Sequence, residues 1–440
     1  MSGKLTVDGR PCLPRTQAGT IPPTMAGFVL AYGRGEIAFQ VPDENLFTVV
    51  EPKAAPVVPL AEAFAAAWEA PVGIESPDAL FHEGERVAIL VPDHTRAVPV
   101  RELLALLWER LRDRIAPGDV TVVVATGTHR SPREEELERI LGGFRRLFRV
   151  EVHDDEGCRE IGRTSRGTSV TVNPTVLSAE RVVTVGHIGM HFFAGYSGGP
   201  KMILPGVCGA ETIRLNHEQI VDPKAYACVY EENPIHGEMR EAARMVGVDL
   251  SVDVVLGPEG PLAVFIGDVI EAHRAGARFW DRYFHVPIPG QADLVIVSPG
   301  GHPRDINLYQ AHKAIFNAAR ATKDGGMILL LAACPDGSGH PVFHDWARRS
   351  RTLEEVVAIM RAEGFKIGGH KVYFLGKDRA RGIRHLLLSD MPQEEARALW
   401  MTPVGSVEEA LALAQEEFGP GFSVTVMPHG GDTFPVPHPS

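Results

Sequence analysis

Uniformly apolar segments alternate with amphipathic segments along most of the chain. RVAILVPD at 86–93 is apolar on both faces, as in a strand buried within a sheet, whereas VRELLALLWERLRDRI at 100–115 carries leucines at helical spacing. The same patterns predict strands at 86–93, 119–127, 181–187, 292–301, 325–334 and 370–376, and helices at 100–115, 210–221, 305–322, 352–364 and 406–418. This order predicts an α/β protein with parallel or mixed sheets covered by helices on both faces.

The length of the chain indicates more than one hydrophobic core. A chain of 440 residues is long enough for two domains, and HVPIPGQ at 285–291 resembles a linker between them. We predict an N-terminal α/β domain at 27–288 and a C-terminal α/β domain at 289–440, with the active site in the cleft between them. The polar, proline-containing residues 1–26 are predicted to form an N-terminal extension.

Four of the predicted strands end in histidine, accompanied by glycine, arginine or both. The sequences at these ends are DHTR at 93–96, GTHR at 127–130, GH at 186–187 and SPGGH at 298–302. In open α/β sheets, ligands bind in the crevice beyond the carboxyl ends of the strands. We therefore expect the four ends to share one site, although each end taken alone is also typical of a turn or a helix cap.

The third of these strand ends runs into a glycine-rich loop, GHIGMHFFAGYSGGPKMILPG at 186–206, with a single lysine, Lys201. The GxxxxGK[ST] spacing of a P-loop is not met, and proline precedes the lysine. An exposed surface lysine is the ordinary interpretation. The glycines instead favour close approach of the backbone to a ligand, and a desolvated amine at Lys201 would serve as a nucleophile or a covalent anchor.

Three histidines near this loop raise the alternative of a metal site. His187 and His191 are four residues apart, and His217 lies on the helix predicted at 210–221. Zinc is often bound by histidines at this spacing on a helix, but the neighbouring glycines disfavour a helix and HExxH is absent. A zinc-dependent hydrolase that uses these three residues stays open as an alternative, beside a structural role for His191 and a surface position for His217.

Composition and charge narrow the possible partners. The formal net charge is −12 with both signs interspersed, which disfavours binding to nucleic acid or to anionic membranes, so an anionic substrate would need a local positive pocket. The five cysteines are scattered without CxxC spacing, which disfavours a disulfide framework or a zinc ribbon. The sequence shows neither a signal-peptide pattern nor a long apolar span, and we predict a cytoplasmic protein.

Five motifs, taken together and in this order, resemble those of the lactate racemase family, whose members use a nickel-pincer nucleotide. They are DHTR at 93–96, GTHR at 127–130, HFFAGYSGGPK at 191–201, NH at 216–217 and YQAHKA at 309–314. The resemblance extends from about residue 27 to about residue 426. It implies an isomerase, a racemase or epimerase that inverts C2 of a 2-hydroxy acid.

The resemblance also implies how the cofactor is held. The cofactor is a pyridinium-3-thioamide-5-thiocarboxylate mononucleotide that binds nickel through two sulfur atoms and a ring carbon. Lys201 would carry it through the thioamide, and His217 would supply the fourth nickel ligand. We further expect backbone N–H groups to bind its phosphate, in the residue set Thr126, Gly127, Thr128, Ser197, Gly198 and Gly199. Asp93 would support the site.

The remaining implied roles concern the substrate. His129 and His191 would be the acid/base pair, whereas the carboxylate would be bound by Arg96, Gln310 and Lys313. The hydrogen on C2 is weakly acidic, and its removal as hydride avoids a dianionic enolate. A base takes the hydroxyl proton at the same time, and the hydride returns to the opposite face of the planar 2-oxo acid. The two stereoisomers present their hydroxyls on opposite sides, so two bases are required.

The expected partners are a small-molecule 2-hydroxy acid and, transiently, the separate enzymes that make the cofactor. A protein expressed without those enzymes would lack it, and neither nucleic acid nor a membrane is expected as a partner. A non-catalytic binder of nucleotides or sugar acids stays open beside the racemase and the zinc hydrolase. The pair His129 and His191 favours the racemase, because a binding protein needs no two-sided acid/base pair.

Overall fold

The computed structural model describes residues 24–96 and 98–438. The extension predicted at 1–26 therefore lies almost entirely outside the described residues. No helix within the described ranges combines the length and the apolar character needed to cross a bilayer.

Strands and helices alternate through most of the described chain. The strands are β1 (Met25–Tyr32), β2 (Gly35–Pro42), β3 (Leu46–Val49), β4 (Val87–Pro92), β5 (Val120–Ala125), β6 (Arg149–Val152), β7 (Arg159–Arg163), β8 (Ser169–Val172), β9 (Arg181–Ile188), β10 (Met190–His191), β11 (Gly195–Tyr196), β12 (Leu250–Gly257), β13 (Gly260–Gly267), β14 (His285–Ile288), β15 (Ala292–Val297), β16 (Thr322–Leu331), β17 (Arg384–Leu388), β18 (Thr402–Pro403), β19 (Val424–Met427) and β20 (Phe434–Pro437). The α-helices are α1 (Leu60–Glu69), α2 (Val100–Leu111), α3 (Glu134–Leu141), α4 (Phe144–Leu147), α5 (Pro174–Ser178), α6 (Ala210–Glu218), α7 (Pro234–Val246), α8 (Glu271–Phe284), α9 (Leu308–Ala321), α10 (Pro341–Arg349), α11 (Leu353–Glu363), α12 (Gly369–Ala380), α13 (Gln393–Ala398) and α14 (Val407–Phe418).

The first large sheet has the strand order β13-β12-β9-β4-β5-β6. All neighbours are parallel except the edge strand β13, which runs antiparallel to β12. The central strand β4 is buried at every residue, as its uniformly apolar sequence predicts. The chain passes from β4 to β5 and β6 on one side, and then to β9 and β12 on the other. Such a reversal of strand order opens a crevice at the carboxyl ends of β4 and β9.

The second large sheet is wholly parallel and has the order β18-β17-β16-β15-β19-β3. Helix α9 follows β15 and contributes Ile315 and Phe316 to an apolar core that also contains Leu90 and Ile188 from the first sheet. The α/β class and the two-part arrangement are therefore as predicted. Two further cores cover the outer faces of the two sheets.

The N-terminal strands pack differently from the predicted domain division. Strand β3 pairs with β19 at the edge of the second sheet, and the β1–β2 hairpin places Leu30, Phe39 and Val41 in the core on that sheet's outer face. The segment from Met25 to Val49 thus belongs by packing to the second sheet, although the predicted boundary assigned it to the first domain. Similarly, part of the predicted linker forms β14, which pairs with β20.

The strand predicted at 370–376 is wrong, because these residues lie in helix α12. The helix is buried over nearly its whole circumference, from Gly369 through Gly376 and again at Asp378. A helix that is apolar on every side loses the 3.6-residue periodicity that distinguishes it from a buried strand. The error matters for the site, since His370 and Lys371 begin this helix.

The glycine-rich loop between β9 and α6 is anchored from beneath by two buried polar side chains. The Asp253 carboxylate accepts a hydrogen bond from the Gly199 N–H at 3.0 Å, and His273 Nε2 lies 2.8 Å from the Ser197 carbonyl oxygen, to which it donates. Gly199 has φ +49°, and a Cβ atom there would lie 2.6 Å from the His273 ring. Glycine is therefore required at this position both by the backbone conformation and by the close packing.

We predict that Gly199→Ala destabilises the protein more than a positive φ alone would. Gly84→Ala is the matched control, because Gly84 has φ +84° and open space where a Cβ would be. In the control, the left-handed backbone should lower the free energy of unfolding by about 1 kcal/mol. In Gly199→Ala the free energy of unfolding should fall by about 3 kcal/mol or more, because the methyl group overlaps His273. Thermal unfolding of both variants tests this difference. Equal unfolding midpoints for the two variants would show that the loop can move away from His273 without a loss of stability.

Candidate active site

Two of the four predicted strand-end histidines meet at one site. His129 and His187 line the crevice beyond β4, β5 and β9. His94 instead faces Glu136, with 4.0 Å between Nε2 and Oε1, and His302 lies 3.3 Å from the Arg34 guanidinium beside the second sheet. The prediction that all four ends share a site is therefore wrong for the end at 298–302, whereas the end at 93–96 reaches the cavities through Asp93 and Arg96 although His94 turns to another partner.

Two adjoining cavities occupy the cleft between the halves of the molecule. The main cavity has a volume of about 520 Å³, which is in the range of small-molecule sites. It is lined by every residue predicted to act in catalysis, tethering, nickel binding or substrate binding: Arg96, His129, His191, Lys201, His217, Gln310 and Lys313. The side cavity reaches back to the strand ends and is lined by Asp93, Thr126, Gly127, His187, Ser197 and Gly198. Both cavities share the walls formed by Arg96, Thr126, His129, Lys201 and Pro205.

The buried carboxylate of Asp93 pairs with the half-buried imidazole of His129. The distance from His129 Nδ1 to Asp93 Oδ2 is 2.7 Å, and Thr95 donates to the other carboxylate oxygen through both its N–H and its hydroxyl. Burial acts to raise the pKa of Asp93, but the hydrogen bonds from His129 and Thr95 outweigh it and hold the pKa below its usual value. An ionised Asp93 requires the hydrogen of neutral His129 to be on Nδ1, which leaves the Nε2 lone pair free as a base.

His191 has the opposite arrangement of hydrogen bonds. Its Nδ1 accepts the N–H of Ala194 at 3.2 Å, and the ring packs edge-on against Phe193 with 4.6 Å between centroids. Burial, together with the charges of Lys201 and Arg96, holds the pKa of His191 well below its usual value. The neutral ring therefore carries its hydrogen on Nε2, so that in the ground state His191 offers a donor where His129 offers an acceptor.

The amine of Lys201 is buried and lacks a hydrogen-bond partner among the described residues. Only 9% of the residue is exposed, although it forms part of the wall of both cavities. Burial, assisted by the charge of Arg96, holds the pKa of Lys201 well below its usual value. A lowered pKa favours the unprotonated, nucleophilic form of the amine, unlike that of an ordinary surface lysine.

His217 presents one free ring nitrogen to the main cavity. It lies on α6, where Nδ1 is 3.1 Å from the side-chain oxygen of Asn216. Because an amide oxygen only accepts hydrogen bonds, Nδ1 carries the hydrogen and Nε2 keeps its lone pair. Burial, followed by the charge of Lys201, lowers the pKa of His217 to about 3. A neutral imidazole whose second nitrogen is held by a hydrogen bond is the usual form of a histidine metal ligand.

Helix α9 supplies the polar side of the main cavity. Gln310 and Lys313 are three residues apart on one face of the helix, and Asn307 caps its first turn by accepting the Gln310 N–H at 2.9 Å. Burial lowers the pKa of Lys313, despite the opposing effect of Asp432. Arg96 faces this helix across the cavity from the end of β4. The two cations could therefore hold a carboxylate between the two halves of the molecule.

The predicted amide cradle for a phosphate is only partly available. The N–H groups of Gly127, Ser197 and Gly199 donate to Gly206 O, Gly189 O and Asp253 Oδ1 respectively. The prediction that these three amides face a ligand is therefore wrong, and Gly199 lines neither cavity. Glycine at these positions serves the packing of the loop itself. The remaining residues of that set, Thr126, Thr128 and Gly198, still line the cleft.

The geometry does not favour the zinc alternative. Within the described ranges, the one group of three potential metal-binding side chains with all ligand atoms within 4.8 Å of one another is Cys228, Asp281 and His285. The imidazoles of His187, His191 and His217 do not come together in this way. The trio proposed for a hydrolase therefore has no common point at which a zinc ion could sit.

Several residues of the site were not predicted from the sequence. Asp253 and His273 support the loop, and only Asp253 left a signal, as a lone carboxylate within the apolar segment 250–257. His370 and Lys371 line the main cavity, but the incorrect strand at 370–376 concealed them. His340, which lines the same wall, stands in a loop sequence without a distinctive pattern.

Comparison with known proteins agrees with this geometry. A family model described as the lactate racemase N-terminal domain matches residues 32–227, and one described as the lactate racemase C-terminal domain matches residues 289–433. The lactate racemase of Thermoanaerobacterium thermosaccharolyticum is 31% identical over 431 residues, which cover 92% of this chain and 98% of that protein. The lactate racemase of Lactiplantibacillus plantarum is 30% identical over 432 residues, covering 92% and 99%.

Solved structures give the same result. The lactate racemase apoprotein from T. thermosaccharolyticum superimposes with a TM-score of 0.85 at 30% identity, covering 93% of this chain and 100% of that chain. A protein from Thermotoga maritima, with a TM-score of 0.60 at 18% identity, shares the fold. From the two domain matches and the relatives aligned over nearly their whole length, the chain belongs to the lactate racemase family of isomerases.

Proposed function

We propose that this protein racemises or epimerises a 2-hydroxy acid at C2 by proton-coupled hydride transfer, with a nickel-pincer nucleotide held by Lys201 and His217. The observation that carries the proposal is the main cavity, which brings together the imidazoles of His129 and His191, the buried amine of Lys201, a histidine with a free ring nitrogen at position 217, and the basic groups of Arg96 and Lys313. The related proteins are named lactate racemases, which supports the same class of reaction.

The residues of the main cavity suit such a cofactor. The neutral amine of Lys201 is in the form required to bond to an acyl group, and His217 has Nε2 free for a metal. Soft sulfur ligands combined with an imidazole match the preference of nickel(II). When bound, the cofactor supplies an acceptor and donor of hydride.

The protein's own residues would orient the substrate. Arg96 and Lys313 bind the carboxylate from opposite sides, and Gln310 adds a neutral hydrogen-bonding group on the same helix face as Lys313. Fixing the carboxylate holds the C2–H bond in one direction, which raises the effective concentration of the reacting groups. The aromatic side chains of Phe192 and Phe193 line the same cavity and reduce its access to water.

His129 and His191 would move the hydroxyl proton. His129 Nε2 accepts it from one stereoisomer, while Asp93 fixes the ring orientation through Nδ1. His191 serves the other stereoisomer: as a base it takes the hydroxyl proton on Nε2, for which the neutral ring must carry its hydrogen on Nδ1 and release the Ala194 N–H, and as an acid it returns a proton from the imidazolium form. Each histidine therefore acts as the base for one hand of the substrate and as the acid for the other.

The first test is inversion of a 2-hydroxy acid by holoenzyme made together with the cofactor-synthesising enzymes. We expect the C2 hydrogen to be retained in deuterated buffer, because hydride does not exchange with solvent. Chiral chromatography with mass spectrometry measures this retention.

His129→Ala and His191→Ala should each lower the rate of inversion about 100-fold or more. His302→Ala, at a strand end outside the cavities, should leave the rate within about threefold. Rapid deuterium uptake at C2 would contradict hydride transfer, and absence of inversion with any substrate would contradict the proposed function.

The second test concerns the carboxylate behind His129. Asp93→Asn removes the charge that keeps the hydrogen of His129 on Nδ1, and we expect kcat to fall by about 10²- to 10⁴-fold. Thr95→Ala removes one donor to Asp93 but leaves the contact with His129, so it should cost less than about tenfold. Similar losses in the two variants would indicate that Asp93 only supports the loop.

The third test separates the tether from the metal ligand. Lys201→Met should abolish the covalent mass increment in holoenzyme preparations, because no amine remains to form the bond. His217→Ala should keep the mass increment but lose nickel. Intact-protein mass spectrometry and elemental analysis read these outcomes independently of activity. A mass increment that persists in Lys201→Met would assign the attachment to another residue.

A further inference from the structure

One wall of the main cavity carries a buried lysine that the proposed reaction does not use. Lys371 lies in the first turn of α12 with 4% of its surface exposed, and it lines the main cavity beside His370 and His340. This wall lies on the second half of the molecule, as does Lys313. We call His340, His370 and Lys371 the distal wall.

The Lys371 amine has no acidic neighbour among the described residues, and burial, followed by the charge of Lys313, lowers its pKa to about 7. It donates a hydrogen bond to the carbonyl oxygen of Tyr309 and lies 4.1 Å from the centroid of the Tyr309 ring and 5.1 Å from that of Phe192. Within the described ranges, no carboxylate oxygen lies within 4.0 Å of it. An ammonium group withdrawn from water is unfavourable unless an anion compensates it, and this site provides none.

The positive charges of the cavity exceed what a monocarboxylate can neutralise. Arg96, Lys313 and Lys371 all line the cavity without a carboxylate within 4.0 Å in the described part of the chain. Asp93 is bonded to His129, and Asp432, the acidic group that acts on Lys313, is paired with Arg304. If Arg96 and Lys313 hold the carboxylate next to C2, Lys371 is left without a counterion.

The neighbouring imidazoles add hydrogen-bonding capacity for an anion. His370 Nδ1 accepts the Gly368 N–H at 3.3 Å, so the neutral ring carries its hydrogen on Nε2 as a donor. His340 Nδ1 is buried without a partner among the described residues, and the ring stacks on Tyr309 at 4.8 Å between centroids. The distal wall therefore combines one ammonium group with two imidazoles, and it contains no acid.

The cofactor phosphate does not account for Lys371. Of the residues expected near that phosphate, Gly127, Ser197 and Gly198 line only the side cavity, which Lys371 does not line, whereas Thr126 lines both cavities and Thr128 lines the main cavity. Lys371 donates to the carbonyl oxygen of Tyr309, the residue before Gln310, and therefore lies beside the residues of α9 that are proposed to bind the substrate. An additional anion near Lys371 would therefore belong to the substrate.

We propose that the distal wall binds a second anionic group of the substrate, a carboxylate or a phosphate carried beyond C2. The enzyme would then prefer dianionic 2-hydroxy acids to lactate, with Lys371 as the specificity-determining residue. This inference rests on the proposed function, because it assumes that Arg96 and Lys313 hold the first carboxylate.

The test compares substrates that differ only beyond C2, using the loaded enzyme. Malate and 2-hydroxyglutarate present a second carboxylate, 3-phosphoglycerate presents a phosphate, and 2-hydroxybutanoate and lactate present neither. We expect kcat/KM for at least one dianionic substrate to exceed that for 2-hydroxybutanoate about tenfold or more. The preferred member of the series distinguishes a carboxylate from a phosphate.

Substitution of Lys371 assigns the preference to this residue. Lys371→Met should lower kcat/KM for the dianionic substrate on the order of 10- to 100-fold, as expected for loss of a charge-assisted hydrogen bond, and leave lactate within about threefold. Lys371→Arg should recover part of the loss. Lys366→Met removes the same charge from an exposed position paired with Glu363, and should change neither substrate. Circular dichroism and the mass of the bound cofactor show whether each variant is folded and loaded.

Three results would overturn the inference while leaving the proposed function intact. They are equal or better turnover of lactate than of every dianionic substrate, equal effects of Lys371→Met on both substrate classes, and loss of cofactor from that variant. If the loaded enzyme inverts none of the substrates, the proposed function fails instead. In that case, calorimetric titration of the unloaded protein with malate tests the inference. The inference requires that Lys371→Met binds malate more weakly than Lys366→Met does.

Discussion

The position of Lys201 depends on the buried contact between Asp253 and the backbone of its loop. The carboxylate accepts the N–H of Gly199, two residues before the lysine, and His273 holds the carbonyl of Ser197 from the same side. A buried carboxylate is tolerated because hydrogen bonds satisfy it, here from Gly199 and from the Ser251 hydroxyl at 2.6 Å. The loop is thereby fixed against the sheet, and its lysine is held in the wall of the cleft, where burial lowers the pKa of the amine.

The parts of the fold that follow from local patterns were predictable from the sequence. Strand β4 is uniformly apolar, β5 and β9 are rich in valine, all three lead into polar segments, and α9 has its apolar residues at helical spacing. Helix α12 was not predictable in this way, because burial on all sides removes the periodicity that identifies a helix. The return of β3 to the second sheet depends on pairing with a strand more than 370 residues later, which no local pattern records.

The site likewise combines residues that the sequence predicts with features that only the fold reveals. Arg96, His129, His191, Lys201, His217, Gln310 and Lys313 occur in recognisable motifs, and the structure brings their side chains to one cavity. The sequence could not indicate which amides of the glycine-rich segments are free, because Gly127, Ser197 and Gly199 bond to residues that only folding brings near. Nor could it indicate the distal wall, whose members come from separate segments at 340 and 370–371. The acidic surface and the cationic cleft are likewise distinguishable only in three dimensions.

The unequal hydrogen bonds of His129 and His191 have a thermodynamic consequence. One ring offers a lone pair and the other an N–H, so in the proposed reaction the two stereoisomers of a substrate would meet chemically different groups. Enantiomers have the same free energy, and the equilibrium constant between them is one. The Haldane relation then forces kcat/KM to be identical for both enantiomers of a substrate with a single stereocentre. Any chemical difference between the two histidines must therefore change kcat and KM by the same factor, so the enantiomer with the higher kcat also has the higher KM.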